Sequence, residues 1–494
     1  MSTWTLVPLP PGRRTVGCKW VFKVKTKPDG SVSRYKARLV AQGYSQIHGV
    51  DYTDTFSPVV RLQSIRVLFA VAVQYKMHIH QMDVKTAFLN GFLEEEVYMR
   101  LPEGLTPKDS TLVCKLHRAL YGLKQSSRAW FHKIDTHLKK VGFSPLAADS
   151  NIYLLMDSLG LLVLALYVDD ILLLSASTTL LSQAKQLLHQ EFDMTDLGKV
   201  NHFLGIHVDY NFETSTLKLS QKAYILLKLA RFNLSTVASK ETPMVGGAQF
   251  TAADCPTTRE EKAAMELIPY SESVGSLMWI ALCTRQDIAF AVFSLAQFMS
   301  NLGQKHWIGV KRVFRYLAST QDLVLRYQHS TQPSQLLGYS DADWGGDTHT
   351  RKSTSGYCFL LSVVAISWSS TKQKSVALST TKSEYMALSK AAAEAIWLRS
   401  LVKELEPELC TGAIILFCDN TSAISLSKTG KFHDRSKHID IRHKFVNQQV
   451  ADGHIKLLQC RSTDQIADIL TKPLAKVIHT GLVTLLGLVP KGEC

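Results

Sequence analysis

The sequence predicts a mixed α and β protein of several domains that ends in an α/β domain, and three observations carry that expectation. The 494 residues suffice for roughly three domains at ~100–200 residues each. Residues 160–175 hold two short apolar arms, 161–168 and 171–175, which meet at Asp169-Asp170. That is the pattern of a buried β-hairpin with acids at its tip. After residue 335 the periodicity runs strand, strand, helix, strand, helix, which is α/β order.

Composition narrows the function. A hydrophobic content of 46% with 20% charged residues fits a globular protein with real cores. A net charge of +14 points to a polyanionic partner, either nucleic acid or an anionic membrane. No juxtamembrane basic cluster or amphipathic anchor stands out, so nucleic acid is expected and a membrane is not. The central apolar run, broken by two carboxylates, falls short of the ~18–20 residues a membrane span needs. Nine cysteines without a Cys-x-x-Cys spacing argue against a disulfide framework or zinc ribbon. They favour a reducing compartment. Met1-Ser2-Thr3-Trp4 lacks the basic head and apolar core of a secretory signal.

Residues 19–40 read as a basic hairpin. Trp20, Phe22 and Val24 alternate with Val21, Lys23 and Lys25, Pro28-Asp29-Gly30 supplies a turn, and Arg34, Lys36 and Arg38 alternate on the return. From Arg13 to Arg38 there are nine basic residues and one acid. Such a face is either a solvated sheet surface or a flap that holds phosphates. Ile65, Leu68, Phe69 and Val73 recur at helical spacing. Asp83 follows an extended segment and sits at a candidate strand end, which alone says little. Tyr121-Gly122, beside Lys124, suits close backbone approach to a ligand or, equally, a helix start. Residues 130–141 and 178–192 have amphipathic helical spacing, as do 270–299 and 307–317. Composition shifts near 242–247 and 330–334 place expected boundaries that divide the chain into 1–245, 246–334, 335–475 and 476–494.

Two sets of acids remain to be weighed. Asp169 and Asp170 repel each other and favour protonation unless a cation lies between them, so their tip is a solvated turn or a seat for hard divalent ions. Asp341, Glu384, Asp419 and Asp468 all fall at element ends. If they converge they need cations, and magnesium takes oxygen ligands of this kind. A pair of ions can activate a water and stabilise the leaving oxygen of a phosphodiester. Each acid also has a plainer reading. Glu384, three residues after Thr381, fits a capping box. Asp468 fits a helix dipole. Asp343, two residues from Asp341, is the expected decoy.

At this point the motifs coincide with those of a known family. Gly17-Cys18-Lys19-Trp20-Val21-Phe22-Lys23, the stretch 81–90, Leu120-Tyr121-Gly122-Leu123-Lys124, Tyr167-Val168-Asp169-Asp170 and Asp196-Leu197-Gly198 occur in order. Asp341-Ala342-Asp343-Trp344, the stretch 351–357 and Lys437-His438-Ile439-Asp440-Ile441-Arg442 follow. Over essentially its whole length the chain resembles the reverse transcriptase and ribonuclease H part of Pol polyproteins from copia-type retrotransposons.

The resemblance implies an α+β right-hand polymerase, with fingers, palm and thumb, followed by an α/β ribonuclease H-like domain. It makes 1–245 the fingers and palm, 246–334 a helical thumb or connection, and 335–475 the nuclease. It makes Asp83, Asp169 and Asp170 the carboxylates that hold two magnesium ions, with manganese as a substitute. Lys36 and Arg38 fall where such enzymes touch the triphosphate. Phe88 matches the aromatic gate against a ribose 2′-hydroxyl, and Tyr121 and Gly122 match the segment that packs on the nascent base pair. Asp341, Glu384, Asp419 and Asp468 match the nuclease carboxylates, which take two ions of their own. His438 or His443 either assists there or has a capping or core role.

The implied partners are an RNA template, a DNA primer, the RNA–DNA hybrid and deoxynucleoside triphosphates. The implied location is the cytoplasm, within virus-like particles, or the nucleus, and not the secretory route. Ser127 and Gln286 stand where the family usually has proline, and Lys382 stands where an acid is common. The chain is expected to be a partial Pol product without the helical segment that usually precedes Trp4. Two rival readings follow: an inactive nucleic-acid-binding remnant, and a live nuclease beside a dead polymerase.

Overall fold

The computed structural model describes residues 2–26, 31–105, 111–331, 335–429 and 437–492. Two compact units emerge, Met1–Val60 with His78–Lys199, and Arg61–Met77 with Val200–Cys494.

The first unit is built on a six-stranded sheet. Its order is Met194–Lys199, His78–Val84, Asp170–Ser175, Gly160–Tyr167, Ile152–Asp157 and Ser144–Pro145. The apolar arms 161–168 and 171–175 pair antiparallel from Leu162 opposite Ser175 to Tyr167 opposite Asp170, so the expected hairpin is present. Helices Ser126–Lys140 and Thr178–Glu191 cover it. Trp130, Ile134 and Leu138 recur every four residues on the first helix and enter the same core as Met82, Val84 and Leu164. Burying each such side chain contributes about 1.5–3 kcal/mol. Ser177 caps the second helix by accepting the Leu180 N–H at 3.2 Å.

The basic hairpin is a separate two-stranded ribbon, Cys18–Thr26 with Val32–Ala41. Trp20, Phe22 and Val24 face Leu39, Ala37 and Tyr35 across it, while Val21 and Lys23 face Arg38 and Lys36. One face is therefore aromatic and the other cationic, as the alternation predicts. The turn at Pro28-Asp29-Gly30 lies outside the described residues.

The second unit holds two five-stranded sheets. One runs His202–Phe203, Ile206–Asn211, Thr216–Ser220, Leu323–Gln328 and Leu488–Pro490. It draws strands from both sides of the boundaries expected at 245, 334 and 475, so the four-part division cuts through one sheet. The Pro and Gly residues of 242–247 mark a connection within the unit, and residues 476–494 are not a tail. Helix Lys476–Leu485 leads into the last strand of that sheet, where Leu325 pairs with Leu488.

The other sheet runs Val364–Lys372, Thr354–Leu361, Leu336–Ala342, Ile414–Cys418 and Ile455–Gln459. Its first two pairings are antiparallel and its last two parallel. Helix Thr380–Leu405 packs against it, burying Leu388, Ala391, Ala395 and Leu398. Ser379 is the N-cap, accepting the Lys382 N–H at 3.3 Å. The capping-box reading of Glu384 is thereby excluded, because the third helical residue is Lys382. Among the described residues no helix is long and apolar enough to cross a membrane.

Two candidate carboxylate sites

In the first unit, register creates a triple of acids. Asp83 ends one strand and lies directly opposite Asp170 on its neighbour. Asp169 occupies the adjoining two-residue turn, and its carbonyl accepts the Val84 N–H at 2.8 Å. All three acids are half-buried. Burial raises the Asp170 pKa, Gln81 opposes that rise, and the carboxylates of Asp169 and Asp83 add to it. Gln81 acts through its side-chain amide, which donates to Asp170 Oδ1 at 3.0 Å.

An aromatic and cationic wall stands beside the triple. Tyr121 and Phe88 pack with ring centroids 4.8 Å apart. The Arg38 guanidinium lies 5.1 Å from the Tyr121 ring centre, a cation–π distance. Burial raises the Tyr121 phenol pKa and Arg38 opposes it, while the nearby Asp169 and Asp83 push it further up. Lys36 lies two residues from Arg38 on the same strand face, across from Lys23. Gly122 has φ +93°, and a Cβ there would sit 2.1 Å from the Ala41 carbonyl oxygen. Its close backbone approach is thus to the base of the ribbon, where the Ala41 N–H also donates to the Tyr121 carbonyl at 2.7 Å.

In the second unit, parallel strands bring four acids to one end of the sheet. Tyr339 pairs with Phe417, and Asp341 and Asp419 each follow two residues later. Glu384 comes from the first turns of the covering helix, and Asp468 from the short helical turn Ile466–Leu470. Asp341 is 1% exposed and accepts the Thr471 hydroxyl. Glu384 is 6% exposed, and its Oε2 is buried without a hydrogen-bond partner among the described residues. Burial first, then Asp341 and Asp419, push its pKa up to about 9. Burial and Asp341 push Asp468 up to about 7, and burial also raises Asp341.

Lys472 is the internal counter-charge of this set. Its Nζ lies 2.9 Å from Asp468 Oδ1 and 3.6 Å from Asp341 Oδ2. Burial works to lower its pKa, but the two acids prevail and raise it. Asp343 is engaged elsewhere: it accepts the Thr354 backbone N–H. Burial pushes it up to about 6. The Cys418 sulfur joins Glu384 and Asp419, with one ligand atom of each residue within 4.8 Å of the others.

The structure therefore gathers Asp83, Asp169, Asp170, Arg38, Phe88 and Tyr121 in one place, and Asp341, Glu384, Asp419 and Asp468 in another. The side chains of His438 and His443 lie outside the described residues. Sequence reasoning missed Gln81, Cys418 and Lys472. Lys472 had a readable signal, its i,i+4 spacing from Asp468.

Comparison with known proteins places the chain in a family. Residues 1–246 match the family described as reverse transcriptase (RNA-dependent DNA polymerase). The chain is 43% identical over 473 residues to the retrovirus-related Pol polyprotein from transposon TNT 1-94 of Nicotiana tabacum. That alignment takes in 95% of this chain and 35% of the relative. It is 40% identical over 492 residues to the Pol polyprotein from transposon RE2 of Arabidopsis thaliana, covering 99% of this chain and 33% of that protein. The chain thus spans about a third of the length of these relatives. A putative transposon Ty5-1 protein of Saccharomyces cerevisiae is 32% identical over 315 residues, which cover 63% of this chain and all of that protein. The chain belongs to the reverse transcriptase family of copia-like retrotransposon Pol proteins.

Proposed function

We propose that the chain is an RNA-directed DNA polymerase that also cuts the RNA strand of an RNA–DNA hybrid. The observation that carries the reading is the register that sets Asp83 opposite Asp170, with Asp169 at the adjoining turn. Family membership supports the polymerase half. The mixed five-stranded sheet, its covering helix and its four acids support the nuclease half and its ribonuclease H-like fold. In this reading the six-stranded sheet is the palm, the ribbon belongs to the fingers, and the helices between residues 270 and 319 form the thumb or connection.

The donor sets suit magnesium. Asp83, Asp169 and Asp170 offer only hard oxygens, and the partnerless Oε2 of Glu384 among Asp341, Asp419 and Asp468 is an acceptor that a cation satisfies. Two ions at each site, magnesium or manganese, would activate the primer 3′-hydroxyl or a water and stabilise the leaving oxygen.

The chain's own groups do the rest. Arg38, held over Tyr121, and Lys36 on the same strand face grip the triphosphate. Phe88, packed on Tyr121, closes the space a ribose 2′-hydroxyl needs, and Tyr121 with Gly122 backs the nascent base pair. Cations along the chain track the template and hybrid backbones, with affinity falling as salt rises. Sequence-specific binding is not expected of an enzyme that accepts any template. The locations this reading implies are the cytoplasm, within virus-like particles, or the nucleus.

The test is primer extension. Purified chain should incorporate deoxythymidine on oligo-dT annealed to poly-rA in magnesium, and chelation should abolish it. Template binding without incorporation, by folded protein in either metal, would replace this reading with that of a binding remnant.

A further inference from the structure

Asp169 and Asp170 are presented by a turn whose backbone is strained. Val168 has φ +56°, the left-handed region that a β-branched side chain rarely enters. It is the first of two central residues in the hairpin turn, a place usually taken by glycine when φ is positive. Such a conformation persists only where its surroundings over-determine it.

Val168 packs against the sheet core on one side but also borders a cavity of about 80 Å³ together with Pro58, Phe131 and Leu166, so its packing is incomplete. A hydrogen bond does hold it. The Trp130 indole Nε1–H donates to the Val168 carbonyl at 2.7 Å. Trp130 is 1% exposed and its ring meets Phe192 edge-on at 5.2 Å, so the donor comes from a fixed element. On the next peptide, the Val84 N–H holds the Asp169 carbonyl at 2.8 Å. Consecutive carbonyls of the turn are thus fixed by two different elements.

We infer that Trp130 is a positioning residue for polymerisation. Its indole N–H locks the left-handed turn at Val168 and so fixes the two hairpin carboxylates, and the lock is required because residue 168 is valine. Glycine enters positive φ freely, so a glycine there removes the need for the lock. The inference rests on the polymerase reading for its kinetic consequence, but the lock itself is a structural matter.

The experiment is a two-by-two comparison: parent, Trp130→Phe, Val168→Gly and the double variant. Single-nucleotide incorporation is measured for kcat and for the dTTP KM. In the Val168 background, Trp130→Phe should lower kcat about 10–100-fold, the scale of an ångström-sized misplacement, with a smaller change in KM. In the Val168→Gly background the same substitution should cost about twofold or less. Equal losses in both backgrounds would make Trp130 a core residue only, and no loss in either would remove it from the account.

Two additions keep the answer firm. If Trp130→Phe fails to fold, benzothienylalanine at position 130 keeps the indole shape without the N–H and takes its place. Amide exchange across residues 167–171 reads the lock without catalysis. Faster exchange on losing the N–H, suppressed by Val168→Gly, supports the lock even if the parent incorporates nothing and the polymerase reading falls. Unchanged exchange overturns it.

Discussion

The two acid clusters use the same chemical group under opposite conditions. Asp83, Asp169 and Asp170 are half-buried at strand ends, and burial raises the Asp170 pKa. Asp341 and Glu384 are almost fully buried, Glu384 is raised to about 9, and Lys472 is drawn in among the acids. Carboxylates brought close together raise one another's pKa unless positive charge intervenes. The cluster around Glu384 carries its own positive charge, Lys472, and its burial favours the protonated acids, whereas the cluster around Asp170 stays half open to solvent. Convergence of acids therefore says where an ion fits, and burial says what the protein must do while the ion is away.

This contrast can be broken in several ways. The largest effect should come from the acids themselves. Asp83→Asn should lower incorporation by at least about 10³-fold and leave hybrid cleavage within about twofold, while Asp419→Asn should do the reverse, since on the proposed reading each removes an oxygen donor for the ions of one site.

The pH profiles should differ next. A raised folded pKa means the native state binds the proton more readily than the unfolded chain. Glu384 thus contributes stability that is complete below 4.5, its ordinary value, and lost as pH rises towards about 9. Metal-free Glu384→Gln should accordingly melt above the parent at pH 8, and the advantage should vanish near pH 4. A parent and variant that melt together at pH 8 would show that the buried carboxyl is not strained. In the same spirit, the magnesium needed for half-maximal cleavage should fall steeply from pH 6 to 9, and that for incorporation less so.

Lys472→Met should have a smaller and conditional effect. The side chain is 39% exposed, so solvent screens much of its charge. Melting in chelator should fall by about 2–4 °C, the scale of ~1 kcal/mol in a unit of this size, and magnesium should restore most of it. A loss that magnesium does not restore would mean that Lys472 packs rather than neutralises. Ser462→Ala should be smallest, lowering the melting temperature in chelator by no more than about 2 °C, since it removes a single exposed 3.3 Å hydrogen bond to Asp419 Oδ2, at the low end, about 0.5 kcal/mol, of what such a bond contributes.

The parts legible in the sequence were local. Alternation on 19–40 and the apolar arms around Asp169-Asp170 announced the ribbon and the hairpin. Acids at the ends of periodic segments offered the second cluster beside plainer readings, while Asp83 joined Asp169 and Asp170 only through the family resemblance. What stayed hidden depends on pairing between distant segments. No local pattern puts Asp83 opposite Asp170, because register belongs to two strands at once. The boundary expected near 245 failed for the same reason: Thr216–Ser220 pairs with Leu323–Gln328 across more than one expected division. Gly122 is readable as either a close backbone approach or a helix start, and only the fold shows that the backbone it admits is that of Ala41. The strain at Val168 is invisible because valine gives no sign of a positive φ, and Trp130 reads only as a core residue of its helix.

The most direct measurement takes two variants through two assays. Asp169→Asn and Asp341→Asn, each folded by circular dichroism, are tested in magnesium for incorporation on oligo-dT and poly-rA and for cleavage of RNA in a hybrid. Two independent carboxylate sites require that Asp169→Asn lose only incorporation and Asp341→Asn only cleavage. A variant that keeps the activity of its own cluster, or a single substitution that abolishes both, would contradict that separation.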